Sequence, residues 1–299
     1  MPSVIRVLRI LAPNPGVREL DGTNTWVVGE HPSIVIDPGP DDEGHLQDLA
    51  REAGSVDAIL LTHDHPGHAQ GAGSLSAMTG ATVFAFRPAA GGEKLRDGQD
   101  FHVGDATIHV LATPGHSPDH VSFFLDDRRA LFTGDAVLGR GTSLIDPPVG
   151  DLVAYLRSLR RMRELSPRAI YPGHGPAVLD PAARLDEYLE YREMREDQVI
   201  AALGDGPQTP EEMVPLVYGD DYGDERGDDR PEVLALAARS MLAHLQKLES
   251  EGRVEKSRRG GMPRWSLSRP RTCARCGQPV RGRARMCGPC SLAVLQELE

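Results

Sequence analysis

Apolar positions in the first two hundred residues fall into short runs with polar turns between them. Residues 4–11 and 25–28 read as strands, separated by turns at Asn14-Pro15-Gly16 and Asp21-Gly22. Residues 33–36 are an unbroken apolar run closed by Asp37-Pro38-Gly39. A helix is expected over 42–53, a buried strand over 58–61, a second helix over 69–79 and a strand over 82–86. Short strands follow at 101–103, 107–111, 121–125 and 130–133. Strands alternating with a few helices predict sheets covered by helices on their outer faces, an α/β class.

The strand at 58–61 runs directly into Thr62-His63-Asp64-His65-Pro66-Gly67-His68. If the chain stays extended there, His63 and His65, two residues apart, project to the same side and can share a metal ion, whereas Asp64 points away. Three later turns repeat the arrangement of a strand ending in a ligand-type side chain beside glycine. These are Thr113-Pro114-Gly115-His116, Thr133-Gly134-Asp135 and Tyr171-Pro172-Gly173-His174-Gly175. Each alone reads as a turn. Together they predict imidazole and carboxylate groups converging on zinc or a similar divalent ion.

Composition narrows the setting. The 299 residues are 39% hydrophobic, and no run approaches the ~20 apolar residues that span a bilayer. Arg6 and Arg9 interrupt the N-terminal stretch, so it does not read as a signal sequence. A soluble, cytoplasmic protein with no membrane partner is expected. All four cysteines lie between Cys273 and Cys290, which leaves no disulfide framework in the remainder. The net charge of -11 is unevenly spread: residues 253–285 carry eleven Arg or Lys against Glu255, a balance of +10, so the rest carries -21. A basic tail on an acidic body suits contact with an anionic partner.

The order His-x-His-x-x-His, Gly-His, Gly-Asp, Gly-His over residues 4–203 resembles the metallo-β-lactamase superfamily of hydrolases. The resemblance implies an αββα sandwich with a dinuclear site at one edge of its two sheets. It implies that His63, His65 and His116 hold one metal, that His68 and His174 hold another, and that Asp135 bridges them. Such a site activates a hydroxide and polarises the substrate oxygen. Gly67 stands where the family pattern has an aspartate ligand. Three states are compatible with that change: a weakened two-metal site, a one-metal site, or a chain of little activity. The stretches around Asn14, Gly22-Thr23-Asn24-Thr25-Trp26, Thr113 to His120 and Tyr171 to Pro176 resemble the branch typified by the β-lactamase-like endoribonuclease. That branch carries a helix like 188–203, with Arg192, Arg195, Glu196 and Gln198 in matching places and Tyr191 where histidine is common. The resemblance adds Asn24 and His120 as residues contacting the substrate or supporting the ligands.

After Gly204-Asp205-Gly206-Pro207 the pattern changes. Thr209, Pro210 and Glu212 form a helix-start signature, and an acidic loop occupies 219–229. Residues 231–251 repeat Leu234, Ala238, Met241, Leu242, Leu245 and Leu248 at helical spacing, and 252–254 with 264–267 suit the strands of a wing. This resembles the winged-helix tail of the same branch, which forms a wall over the active site or contacts nucleic acid. Cys273-x-x-Cys276 and Cys287-x-x-Cys290 predict a tetrahedral structural zinc that organises a small ribbon or knuckle. Arg275, Arg281, Arg283 and Arg285 would then be displayed on a rigid frame. Three domains are expected: a hydrolase domain at 1–204, a winged helix at 208–268 and a four-cysteine zinc module at 270–299.

The expected activity is hydrolysis by metal-activated hydroxide, with one or two zinc ions at the hydrolase site. An RNA phosphodiester is the favoured substrate, bound in part by the basic module. The alternatives are a thioesterase or small-ester hydrolase of the glyoxalase II type, and a catalytically weak nucleic-acid-binding or regulatory protein in which Gly67 has cost the site a ligand.

Overall fold

The first three apolar runs pair as antiparallel strands, β1 (Val7–Leu11), β2 (Asn24–Gly29) and β3 (Ser33–Ile36). They belong to a computed structural model that describes residues 5–219, 230–259, 261–268, 271–272, 276 and 279–280. Helix α1 (Glu43–Ala53) starts where the Asp42 side chain accepts the His45 amide, and it carries the chain over to β4 (Val56–Leu60), parallel to β3. Helices α2 (Pro66–Ala69) and α3 (Ala72–Thr79) make the next crossover to β5 (Thr82–Ala85), and β6 (Glu93–Lys94) ends the sheet. The second sheet is antiparallel through β7 (Asp100–Val103), β8 (Ala106–Ala112), β9 (Val121–Leu125) and β10 (Ala130–Gly134). Helix α4 (Leu152–Glu164) then returns the chain to β11 (Ala169–Pro172), parallel to β10.

Period-two alternation decides which face meets which layer. Trp26, Val28, Ile34, Ile36, Ala58 and Leu60 turn inward onto Ile108, Val110, Phe123, Leu125 and Phe132 of the second sheet. Their neighbours Val27, Val35 and Ile59 turn outward, onto Leu46 and Leu49 of α1 and Leu75 of α3. On the second sheet α4 buries Leu152, Tyr155, Leu156, Leu159 and Met162, and Arg161 donates to the Ala112 carbonyl at the end of β8. The layers are therefore helix, sheet, sheet, helix: the α/β sandwich expected from the strand pattern.

Two helices depart from the reading of the sequence. The helix expected over 69–79 is broken at Gly71, because the chain passes so close to α1 that a Cβ there would lie 2.7 Å from the Pro40 carbonyl oxygen and 2.9 Å from Leu46. Helix α4 was not among the expected elements. Its apolar positions recur at helical spacing but are interleaved with Arg157, Arg160, Arg161 and Arg163.

The chain divides into two compact units, Met1–Tyr191 and Arg192–Glu299, with helix α5 (Pro181–Ala202) running through the boundary. In the second unit, Thr209 and Glu212 close the expected capping box at the start of α6 (Pro210–Tyr218). Helix α7 (Arg230–Ser250) leads into the hairpin of β12 (Val254–Arg259) and β13 (Met262–Leu267). Val199, Leu203, Met213, Val217, Met241, Leu245, Leu248 and Trp265 form its core, so the unit is a winged helix. The hairpin is longer than the strands expected at 252–254 and 264–267. The acidic stretch at 220–229 and Cys273, Cys287 and Cys290 of the expected zinc module lie outside the described residues. No described helix is long and apolar enough to cross a membrane.

Candidate metal centre

Strand ends build the site. The Thr62 carbonyl, just past β4, accepts the Val121 amide at the start of β9, which ties the exit of one sheet to the edge of the other. His63 and His65 leave β4, His68 sits in α2, His116 lies between β8 and β9, Asp135 follows β10, and His174 follows β11. All six come together at that edge. Two groups form, each with ligand atoms within 4.8 Å of one another: His63, His65, His116 and Asp135, and then His68, Asp135 and His174. Asp135 belongs to both. Its Oδ2 lies 3.8 Å from His63 Nε2 and 3.6 Å from His116 Nε2, while its Oδ1 lies 3.3 Å from His68 Nε2 and 3.2 Å from His174 Nε2.

The residues fit a metal. His63 Nε2 and Asp135 Oδ1 are buried without a hydrogen-bond partner, an arrangement that costs free energy unless something else meets them. His65 Nδ1 and His116 Nε2 stand 3.0 Å apart, and His68 Nε2 and His174 Nε2 stand 3.1 Å apart. Donors about 2.1 Å from a shared tetrahedral ion are themselves a little over ~3 Å apart. The opposite ring nitrogens are held from behind. His63 Nδ1 meets Thr62 Oγ1 at 2.9 Å, His68 Nδ1 meets Asp37 Oδ2 at 2.9 Å, His116 Nδ1 meets the Leu144 carbonyl at 2.9 Å, and His174 Nδ1 meets the Gly22 carbonyl at 3.0 Å. Each of these contacts aims an Nε2 at the cluster, the supporting arrangement that metal-binding imidazoles use.

The electrostatics agree with that purpose. Burial holds His63 well below its ordinary pKa, reinforced by His68 and opposed by Asp135; burial also lowers His65 and His116. Their lone pairs are therefore free at neutral pH. Burial works against charge on His68 too, but Asp135 and Asp37 outweigh it and raise its pKa to about 10. Burial likewise opposes ionisation of Asp135, yet His68 and His174 keep its carboxyl well below the usual range. In the absence of an ion, a proton on His68 would balance that carboxylate, and a bound ion would displace it.

The remaining expected site residues stand behind the cluster. Asn24 is fully buried, and its amide donates to the Pro172 carbonyl at 2.9 Å and the Gly175 carbonyl at 2.8 Å. These bonds hold the loop that carries His174, and Asn24 Oδ1 is buried without a hydrogen-bond partner. His120 is also buried, with Nδ1 against Thr113 Oγ1 at 2.9 Å and Nε2 unpartnered, and its ring centroid lies 5.2 Å from that of His63. Asp64 is exposed, as alternation required, and its amide donates to Asp119. Asp37 was absent from the expected set. A carboxylate closing an apolar strand was its only signal, and Asp-Pro-Gly reads first as a turn.

Residues 18–90 and 77–174 match the family model described as the metallo-beta-lactamase superfamily, and residues 209–265 match the beta-lactamase associated winged helix domain. The chain belongs to the metallo-beta-lactamase superfamily. Its relatives in that superfamily include the lactamase-like protein adaB of Aspergillus niger, 40% identical over 205 residues, which are 66% of this chain and 63% of the relative. The chain therefore spans less than two thirds of that protein's length. A match to the atrochrysone carboxyl ACP thioesterase of Aspergillus chevalieri is 36% identical over 280 residues, covering 88% of this chain and 87% of the relative. Among solved structures, a metallo-beta-lactamase family protein from Thermus thermophilus shares the fold, with a TM-score of 0.71 at 24% identity over 88% of this chain and 98% of that one.

Proposed function

We propose that this metallo-beta-lactamase-fold hydrolase is metal-dependent and acts on a thioester. The observation that carries the reaction type is the placement of Asp135, with one carboxylate oxygen toward each group of imidazoles. Two divalent ions in those groups supply Lewis acidity and lower the pKa of water toward neutrality. His63, His65 and His116 hold one ion, and His68 and His174 the other. The Asp135 side chain is 16% exposed against 0% for His63, so solvent and substrate meet the cluster from the Asp135 side, where His65 is also half-buried. The net reaction adds water across the C–S bond, giving a carboxylate and a free thiol. The thioester as substrate class is supported by the Aspergillus chevalieri thioesterase, because that likeness runs through both units of the chain.

A second reading, cleavage of an RNA phosphodiester, is favoured by the +10 charge balance of residues 253–285. The two are separated by assaying one preparation on acyl-coenzyme A and acyl-pantetheine thioesters, with thiol release as the signal, and on an RNA oligonucleotide. Thiol release that disappears in His63→Ala and persists after removal of residues 270–299 supports the thioesterase. RNA cleavage that weakens with salt and with that truncation supports the phosphodiesterase. RNA affinity unchanged in His63→Ala, with no turnover of either ester, supports a binding protein instead.

A further inference from the structure

The group of His63, His65, His116 and Asp135 is the better furnished of the two, with three imidazoles against His68 and His174 in the other. Four of these five rings are held from behind: His63 by Thr62, His68 by Asp37, His116 by the Leu144 carbonyl and His174 by the Gly22 carbonyl. His65 is the exception. Its Nδ1 faces His116 Nε2 at 3.0 Å, and its Nε2 makes no hydrogen bond among the described residues. The residue is also only half-buried, so its ring lacks the enclosure that helps to fix His63, His68 and His174.

What holds His65 acts on its backbone instead. Asp119 is buried, and its Oδ2 accepts at 3.0 Å the amide of Asp64, the residue between His63 and His65. Among the described residues the Asp119 carboxylate makes no other hydrogen bond or ion pair. A buried carboxylate is costly unless it is hydrogen-bonded, and here the single bond ends on the segment that carries His65. Asp119 lies three positions after His116, in a turn where the Ser117 carbonyl accepts the Gly115 amide at 3.1 Å and the His120 amide at 3.4 Å. One side chain therefore joins the turn that carries His116 to the segment that carries His65. We infer that Asp119 is a positioning residue that sets the separation of His65 and His116, and with it the affinity of the ion they share. The inference rests on the metal-dependent reading above.

The test is the zinc affinity of the full-length chain, by competition with a chromophoric chelator, in wild type, Asp119→Ala and Asp119→Asn, and in Asp119→Ala combined with His65→Ala or with His174→Ala. Any zinc on the cysteines is common to all and cancels in the differences. Melting temperatures without metal establish that each variant is folded. Asp119→Ser, too short to reach the Asp64 amide, takes the place of alanine if the alanine variant does not fold. Asp119→Ala is expected to weaken one ion by about ten-fold or more, the scale found for residues that support a ligand without touching the metal. Asparagine keeps an oxygen for the amide and recovers most of that loss. The loss persists beside His174→Ala and disappears beside His65→Ala, because a residue that acts through His65 then has nothing left to position. A merely structural role would cost the same in both backgrounds. Zinc binding by Asp119→Ala that matches wild type, or a loss that persists beside His65→Ala, overturns the inference and leaves the metal-dependent reading intact. Zinc binding unaffected by His63→Ala and His116→Ala overturns both.

Discussion

Asp37 Oδ2 lies 2.9 Å from His68 Nδ1, joining two buried side chains 31 positions apart. The same carboxylate accepts the Thr62 hydroxyl at 2.7 Å and, through Oδ1, the Thr62 amide at 2.8 Å. Thr62 in turn meets His63 Nδ1. One carboxylate at the end of β3 therefore orients a ligand in each half of the cluster, directly for His68 and through Thr62 for His63.

Replacing Asp37 tests that coupling. Asparagine tolerates the positive φ of 50° found there and keeps one acceptor, but removes the negative charge behind His68. Asp37→Asn is expected to weaken metal binding by about 10–100-fold, read by competition with a chelator. Asp37→Ala strands the Thr62 amide and hydroxyl as well, and is expected to cost about 3 kcal/mol of stability on unfolding in urea.

Much of this was legible in the chain because it depends on local period. Strand alternation sorts Val27 from Trp26 and Val28, and the His63–His65 spacing places both rings on one side. What escaped depends on partners distant in sequence. Asp37 acquires its role only by facing His68, and Asn24 acquires its own only by meeting carbonyls about 150 positions away. The break at Gly71 follows from the approach of Pro40 and Leu46, which no helical period encodes. Substrate class is further removed still, since charge balance in a tail describes composition and not a pocket.

Gly115 precedes His116 with φ at +142°, and a Cβ there would run into the backbone of Tyr155 in α4. Neither the helix nor the turn can retreat cheaply, because the Asp151 amide just before α4 donates to the Gly115 carbonyl at 2.8 Å. Gly115→Ala is expected to cost about 3 kcal/mol and lower the melting temperature by about 10 °C. A differential scan checks this, and a shift under ~2 °C would show the contact to be slack.

His244 carries a pH dependence confined to the second unit. It is fully buried in α7 with neither ring nitrogen hydrogen-bonded, and burial holds its pKa well below 6.5, reinforced by Arg192, Lys247 and Arg195. Glu196 faces the same cations through its ion pair with Lys247. Because the folded pKa is depressed, the unfolded chain takes up more protons below pH 6.5, and stability falls with acidity there by about 1.4 kcal/mol per pH unit. Above pH 6.5 this contribution is constant. Hydrogen exchange of α7 amides is expected to quicken between pH 6.5 and 5, after correction for the intrinsic rate. His244→Leu, which needs no partner, is expected to remove that slope.

Removal of metal from the imidazole cluster bears on the first unit. Five imidazoles and a carboxylate are gathered there, with His63 Nε2 and Asp135 Oδ1 lacking hydrogen-bond partners, so the cluster is costly to assemble without an ion. An ion that binds the folded cluster and not the unfolded chain stabilises it by RT ln(1 + [L]/Kd), about 2.7 kcal/mol at a hundred-fold excess over Kd. For a unit of this size that is about 5–10 °C of melting temperature, lost to a chelator and regained with added zinc. In His63→Ala and His116→Ala the response shrinks, because each removes one donor from the better-furnished group. The second unit provides the control: in Cys273→Ser/Cys276→Ser its amides are expected to exchange at the same rate with and without chelator. Comparison with the unsubstituted chain separates zinc at the cluster from zinc at the cysteines. A melting temperature indifferent to zinc in every variant would mean that protonated His68, and not a metal, is what balances Asp135.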